Sequence, residues 1–267
     1  MTLHLEHMTS PDAGRAIAAG TTTAVFACGA VEQHGPHLPM FTDAEHGTRL
    51  AEEVARRLGD ALVAPTVRVG CSEHHMAFPG SLSIRPATLE AICTDYCTSL
   101  ARHGFRRIAI IPSHGGNFKP LEAMLPRLRQ AAAHTAQAAP AQSNTQGPGC
   151  HVAAYTDLVA FMKVWQNAVA ALGAPVDRVG GHADIAESSI MLALHPMLVH
   201  EDRAEEGFRP AIDDAVIARI IRDGFRSVTP NGILGDARGM SAEIGDRCIS
   251  GAADHLADFF RAAFVPA

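Results

Sequence analysis

The sequence predicts an α/β protein, a mostly parallel sheet with helices on both faces. Three observations support this. Short apolar, β-rich runs alternate with longer helical patterns, the order of βαβ units. Three of those runs empty into loops rich in Gly, His and Pro, where ligands sit in such sheets. And the 267 residues are 47% hydrophobic and 19% charged, enough for one buried core and too apolar for a disordered chain.

The first run is Thr21 to Cys28, ended by Gly29. A helical pattern follows from Glu45 to Leu58, with Leu50, Val54 and Leu58 four apart and Asp43 placed as an N-cap. Leu62 to Val69 reads as a second strand limited by Pro65, and Gly70 to Gly80 as a loop. Thr88 to His103 is a helix that Gly104 stops. The strand Arg107 to Ile111 leads into the turn Pro112 to Asn117, then a helix from Lys119 to Ala133. Val152 to Tyr155 is a short strand. Helices are expected over Leu158 to Leu172, Asp184 to Leu194 and Ala253 to Phe264. No repeat or linker divides the chain, so a single domain over 1–267 is expected. Its one low-complexity stretch, near 134–150, is Ala-, Gln-, Pro- and Gly-rich and reads as a surface loop.

Composition removes several function classes. The formal charge is −6 and no basic run occurs, which argues against nucleic-acid binding. No apolar stretch reaches the roughly 18–20 residues of a membrane span. The opening residues Met1 to His7 lack a basic region followed by an apolar run, so the expected location is cytoplasmic. The six cysteines form no CxxC pair and are expected to be free, mostly buried thiols. The excess is in histidine, 15 residues against 2 Tyr and 1 Trp, and histidine is the commonest metal ligand.

Glu32 and His34 are two apart, so in an extended segment both point the same way, and Gly35-Pro36 turns the chain back toward Asp43. His114 ends the Arg107–Ile111 strand, and Gly115 and Gly116 permit close approach there. His182 and Glu187, five apart, open a helix. Each has an ordinary reading alone: polar loop, backbone-bonded strand-end His, N-cap, solvated helix residue. Together, at the edge of one sheet, they form a group of carboxylates whose burial is expensive unless cations relieve it. The residues leave three readings open. These are a metal centre of undetermined ion number, a single-zinc site on His34, Asp43 and His114, and a catalytically silent ligand-binding or scaffold protein.

Several motifs resemble the creatininase family of metal-dependent amidohydrolases. They are Glu32-Gln33-His34-Gly35-Pro36-His37-Leu38-Pro39 with Thr42-Asp43; Ser72-Glu73-His74-His75 with Phe78 to Ser83; Ser113-His114-Gly115-Gly116-Asn117; His182-Ala183 through Glu187-Ser188-Ser189; and, weakly, Gly232 through Asp236. They run in family order from about residue 20 to 250. The resemblance implies a three-layer α/β/α fold, often a homohexamer, and two divalent ions per chain, commonly zinc, manganese or iron. It implies Glu32, Asp43 and His114 on one ion and His34 with a bridging Asp43 on the other. Creatinine-cleaving members draw a further carboxylate from two residues after the strand-end His. Gly116 stands there in this sequence, and Glu187 is the candidate replacement.

The implied chemistry is hydrolysis of a C–N amide or lactam bond of a small nitrogenous substrate, by hydroxide between the ions. Mixed imidazole and carboxylate donors suit Zn, Mn or Fe(II). Three carboxylates against two dications leave a residual charge of about +1, which favours hydroxide over water. His182 is the expected proton donor to the leaving nitrogen, with Glu187 beside it in the catalytic group. Ser72, His74, His75 and Gly115 are expected to line the substrate pocket, the two His also being alternative proton carriers. Creatinine itself is disfavoured by Gly116 and by the supply of one tryptophan, Trp165, where creatinine-cleaving members stack substrate near several. Val228 to Asp236 resembles the mycofactocin-maturation peptidase branch, which trims a precursor peptide.

Overall fold

The computed structural model describes residues 2–138, 149–210 and 212–265. Its helices are α1 (Ser10–Ala18), α2 (Thr42–Leu58), α3 (Pro86–Arg102), α4 (Phe118–Ala138), α5 (Leu158–Ala171), α6 (Ile185–Leu194), α7 (Asp214–Asp223) and α8 (Ala242–Ala263). Its strands are β1 (Thr23–Cys28), β2 (Ala61–Val63), β3 (Arg107–Pro112), β4 (His151–Ala154), β5 (Val179–His182) and β6 (Leu234–Gly235).

Four parallel strands form the main sheet in the order β2-β1-β3-β4. Alternation along β1 shows how the layers arise, since successive side chains leave a strand on opposite faces. Val25 and Ala27 join the apolar layer made by α2, α5, α6 and α8, while Ala24, Phe26 and Cys28 join the layer made by α1, α3 and α4. With both faces covered, β1 is buried along its whole length, which is why its sequence reads as a continuous apolar run. The result is the expected three-layer α/β/α arrangement.

The strand order fixes where a ligand can sit. The connection from β1 leads out to β2 and the next returns across β1 to β3, so the winding reverses between β1 and β3. A crevice opens outside the carboxyl ends of strands at such a point. Glu32 and His34 follow β1, and His114 follows β3.

Several expectations are corrected. Asp43 is not an N-cap: α2 starts at Thr42, its cap position is Phe41, and no side chain caps it. The second strand ends at Val63. Beyond Pro65 only Val67 rejoins the sheet, donating to Ala27 O at 2.9 Å and forming an isolated bridge with Cys28. The last helix starts at Ala242 rather than Ala253, capped by Ser241 Oγ on Ile244 N. Gly245 and Gly251 hide its first half from a propensity reading, yet Gly245 is needed, because a Cβ there would lie 2.1 Å from Ser189 O of α6. The sequence reading left α1, α7, β5 and β6 unassigned. The expected loop near 134–150 is helical through Ala138, and 139–148 lies outside the described residues. The thiols match expectation: Cys28, Cys93, Cys97, Cys150 and Cys248 are buried and free, and Cys71 is partly exposed and free.

Gly29 couples the end of β1 to the start of α2, since a Cβ there would meet Ala44 Cα at 2.6 Å. Gly29→Ala is therefore expected to cost about 1–3 kcal/mol by overpacking. Thermal unfolding checks this, and an unchanged Tm would show that α2 gives way freely.

Candidate metal centre

Each side chain of the centre is set by a local backbone device. The loop after β1 folds back on itself, with Glu32 N donating to Met40 O at 2.9 Å and Thr42 Oγ1 to Pro39 O at 2.8 Å. Gly35 takes φ +67, a conformation open to glycine, at the turn. This puts Glu32 and His34 opposite Asp43 in the first turn of α2. Asn117 ties the β3 loop down, its Nδ2 donating to Cys28 O and Gly29 O, both at 3.0 Å. On the opposite side Asp184 caps α6. Its Oδ1 accepts from Ala186 N at 2.8 Å and Glu187 N at 3.1 Å, and its Oδ2 from Gly180 N and Gly181 N at 2.8 Å. The sharp junction this holds contains Ala183 at φ +51, a strained value for a residue with a Cβ. Ala183 N donates to Glu187 Oε2 at 2.6 Å and aims that carboxylate at the β1 loop.

Glu32, His34, Asp43, His114, Glu187 and His182 meet in one buried cup. Their ligand atoms form three overlapping groups, each within 4.8 Å: Glu32, Asp43 and His114; His34, Asp43 and Glu187; Glu32, His34 and His182. Glu32 and His34 are 0% exposed and Asp43 is 2%. His114 Nδ1 lies 3.2 Å from Glu32 Oε1 and 3.3 Å from Asp43 Oδ2. His34 Nε2 lies 3.3 Å from Asp43 Oδ1 and 3.7 Å from Glu187 Oε2.

The donors fit divalent cations. Two donors about 2.1 Å from one ion at tetrahedral angles stand roughly 3.4 Å apart, and the separations above bracket that value. Among the described residues, Glu32 Oε1 and Oε2, His34 Nε2 and Asp43 Oδ2 are buried without a hydrogen bond, although such groups are normally satisfied. The outer nitrogens of both imidazoles are already committed. His34 Nδ1 donates to Glu32 O at 3.1 Å and His114 Nε2 to Cys71 O at 3.1 Å, leaving the inner lone pairs for a metal, as ligating imidazoles are commonly held.

Position 116 leaves no room for a carboxylate. A Cβ at 116 would lie 2.3 Å from Cys71 O and 2.5 Å from His114 Nε2, so no carboxylate can extend from this position without displacing that backbone. The neighbouring Gly115 is exposed and open, with nothing crowding it.

Without a cation the cup stores protons. Burial opposes charge on His34, but Asp43, Glu187 and Glu32 outweigh it and lift its pKa to about 10. His114 is likewise raised well above the imidazole range against its burial, chiefly by Glu32. Burial raises Glu187 to about 8 despite His34. Asp43 is held well below the carboxylate range, His34 overcoming its burial. The other buried histidines go the other way. Burial lowers His182 and His75, and takes His74 to about 3 and His37 and His46 to about 4.

Of the expected pocket residues, Ser72 is buried with its Oγ 3.3 Å from His114 Nε2, and His75 Nε2 lies 3.2 Å from Glu32 Oε1. The His74 ring stacks beside His114 at 5.7 Å. Two participants were not singled out from the sequence. Phe225, just after α7, stacks on His75 with centroids 4.2 Å apart and meets His182 edge-on at 4.7 Å. Nothing in its local sequence marks it. The Gln33 side chain lies between His75 and His182. It sits inside the Glu32–His34 motif, which was the available signal. Trp165 is in the core against Phe161 and His46, so the aromatic wall of the cup is Phe225 rather than tryptophan. In the weakest motif, buried Asp236 pairs with Arg238 and Arg178 and so has a structural task.

An α/β sheet whose switch point carries a buried cup of carboxylates and imidazoles, with atoms left for cations, defines an α/β/α protein with a candidate metal centre. The chain matches the Creatininase family (creatinine amidohydrolase) over residues 6–260 and belongs to it. It is 30% identical over 261 residues to the creatinine amidohydrolase of Pseudomonas putida, covering 94% of this chain and 93% of that one. It is 29% identical over 237 residues to the mycofactocin precursor peptide peptidase of Mycolicibacterium smegmatis, covering 85% and 81%. Solved creatininases align along the entire chain on both sides. A manganese form gives a TM-score of 0.72 at 28% identity, and a mutant zinc–zinc form 0.73 at 27%.

Metal loading must expel the stored protons. Adding zinc to metal-free protein at pH 7.5 in weak buffer is expected to release at least one proton per chain, read with an indicator dye. No release would contradict the raised His34. The sign for stability follows from the same shifts. His34 is raised from 6.5 to about 10 and Glu187 from 4.5 to about 8, so both bind protons more tightly when folded. Their stabilisation is lost as pH rises through those windows. The Tm of metal-free protein should fall between pH 6.5 and 10 and that of zinc-loaded protein should fall less. Parallel curves would count against the cup as the cause.

Proposed function

We propose that the protein is a two-metal amidohydrolase that cleaves a carbon–nitrogen bond in a small nitrogenous substrate. The observation that carries this is the set of orphaned, inward-facing atoms on Glu32, His34 and Asp43, completed by His114 and Glu187. Glu32, Asp43 and His114 would hold one ion. His34, Asp43 and Glu187 would hold the other, with Asp43 shared. Zinc, manganese or iron suits the donors. Such ions supply polarisation of a carbonyl and a water acidified enough to attack it at neutral pH.

The chain's own residues do the rest. His182 is kept neutral by burial, with Nδ1 3.9 Å from Glu32 Oε1, on the cup's inner wall. From there Nδ1 takes the proton of the attacking water and returns it to the leaving nitrogen. Phe225, His74 and Ser72 pack beside His75 and His114 and bring no charge there, which suits a neutral substrate. Glu187 serves its ion and its Ala183 hydrogen bond together, so its part in catalysis is as a ligand.

A second reading keeps the centre and changes the substrate to the C-terminal part of a short peptide. The similarity to the mycofactocin precursor peptide peptidase over 237 residues favours it. Assay of metal-loaded protein against creatinine, cyclic amides, formamides and short peptides separates the two. Turnover of none, in protein holding two metal equivalents, would leave a silent binding or scaffold protein. We further propose a homohexamer; a sedimentation mass near one chain would overturn that.

Glu32→Gln and His114→Ala are expected to abolish turnover with the far-ultraviolet circular dichroism unchanged; activity in both would reject the site. His182→Asn should lower kcat roughly 10²–10⁴-fold while metal content stays the same. Chelation should remove activity and zinc or manganese restore it, and chelator-resistant turnover would exclude the mechanism.

A further inference from the structure

We propose that residues 213–228, comprising α7 and the turn that carries Phe225, are a lid that lifts to let ions and substrate reach the cup. The proposal rests on the reading of the cup as a centre that a substrate must enter.

The cup is shut in this structure. Glu32 and His34 are 0% exposed, Asp43 2%, His114 3%, Glu187 4% and His182 6%. Solvent barely touches these groups, so a molecule larger than water can meet them only if a wall moves. Phe225 closes one wall. Gly224, at φ +83, turns the chain sharply after α7. It sets Phe225 on His75 and His182, with the ring 6.0 Å from that of His74.

The other walls are tied down by hydrogen bonds. The β1 loop is folded on itself through Glu32 N and Met40 O, and Asn117 binds the β3 loop to Cys28 and Gly29. Asp184 gathers the turn before α6. The loop that carries His74 and His75 is closed at both ends, Ser72 N donating to Ser83 Oγ at 3.0 Å and Ile84 N to Gly70 O at 2.9 Å. Phe208, ahead of the lid, donates its N–H to Ile233 O at 2.9 Å and accepts from Gly235 N at 2.7 Å.

Residues 213–228 differ. Among the described residues and side chains, every hydrogen bond and ion pair they make closes within 213–229. Asp213 Oδ1 accepts from Val216 N, and Arg219 Nη2 donates to Ser227 O. Arg222 pairs with Asp223, Ser227 Oγ donates to Gly224 O, and Thr229 N donates to Phe225 O. What holds the segment on the molecule is packing. Ile220 and Phe225 are buried in one small apolar cluster with Leu234, Phe78 and Phe208, and the Arg226 guanidinium lies 4.7 Å above the Phe78 ring. These contacts part without orphaning a buried donor or acceptor, so this wall opens at lower cost than the others. Arg226 on Phe78 is the latch.

Two measurements on the whole protein test the lid. The first is hydrogen exchange in the zinc-loaded wild type. α7 has ten residues, and a helix that short is marginal once unpacked, so lifting it releases its amides. Peptides over 213–228 are expected to exchange at least about ten-fold faster than those of α2 and α8, because local openings need less free energy than global unfolding. Protection equal to that of α8 would overturn the proposal. The second is the rate of zinc entry into metal-free protein and of zinc removal by a chelator. In Arg226→Gln and in Phe78→Leu, which weaken the latch, both rates should rise together by about 2–5-fold, the equivalent of an exposed cation–π contact, with the zinc Kd unchanged. A door changes both rates alike, whereas a residue that supports the ligands changes the Kd. Unchanged rates, or a changed Kd with an unchanged entry rate, would equally overturn the lid. If one variant does not fold, the other and the wild-type exchange still decide. Neither readout needs turnover. Fast exchange and paired rates in a protein that hydrolyses no amide would sink the hydrolase reading and leave the lid standing; turnover with 213–228 fully protected would do the reverse.

Discussion

Glu32, Asp43 and Glu187 lie in one cup, each at most 4% exposed. Anions so placed repel one another and have lost their hydration, a combination that an isolated fold does not tolerate without counter-charge. The protein has two sources of it. Protons on His34 and His114 serve in the metal-free state, and divalent cations replace them. Much of the structure follows from making that exchange possible: inner nitrogens kept free, outer nitrogens committed to backbone oxygens, and histidines outside the cup kept neutral so that they do not compete with the ions.

The sheet supplies the place and the loops the accuracy. A reversal of winding between β1 and β3 opens a crevice, but it does not aim side chains. That falls to short-range devices, namely the fold-back of Glu32 to Met40, Asn117 bridging Cys28 and Gly29, and Asp184 gathering backbone N–H groups from both β5 and α6. Asp184 also explains how the chain keeps Ala183 in a left-handed conformation that costs about 1–3 kcal/mol. The contacts around it over-determine the turn, and the strain is retained where it points Glu187 inward.

The long apolar patterns were legible in the sequence, because α2, α3, α4 and the buried strands β1 and β3 each repeat their periodicity enough times to be read. The cup residues stood out by type and spacing as a group suited to a cation, while their division into ligand sets came from the motif resemblance. The short elements were not. β5 holds two glycines and β6 has two residues, too few for alternation, and they form because Arg178 O and Phe208 clasp that ribbon through Asp236 N and Gly235 N. α7 had a signal, Asp213 before it and Gly224 after it, and it was missed because its ten residues give the periodicity too few turns to repeat. Asp43 looked like a cap because a first-turn carboxylate usually serves the helix, whereas here it is drawn away by imidazoles from two other strands' loops. Phe225 became visible only when tertiary packing set it on His75.

The cup is assembled from two well-separated stretches of the chain. Glu32, His34, Asp43 and His114 are all in place once β3 and its following turn have been made, yet His182 and Glu187 arrive some 70 residues later along the chain. A chain folded only that far would carry all three donors of one candidate group, Glu32, Asp43 and His114, and lack a member of each of the other two. Those two groups are completed only by β5 and α6, so the docking of this later unit against α2 is what closes the cup.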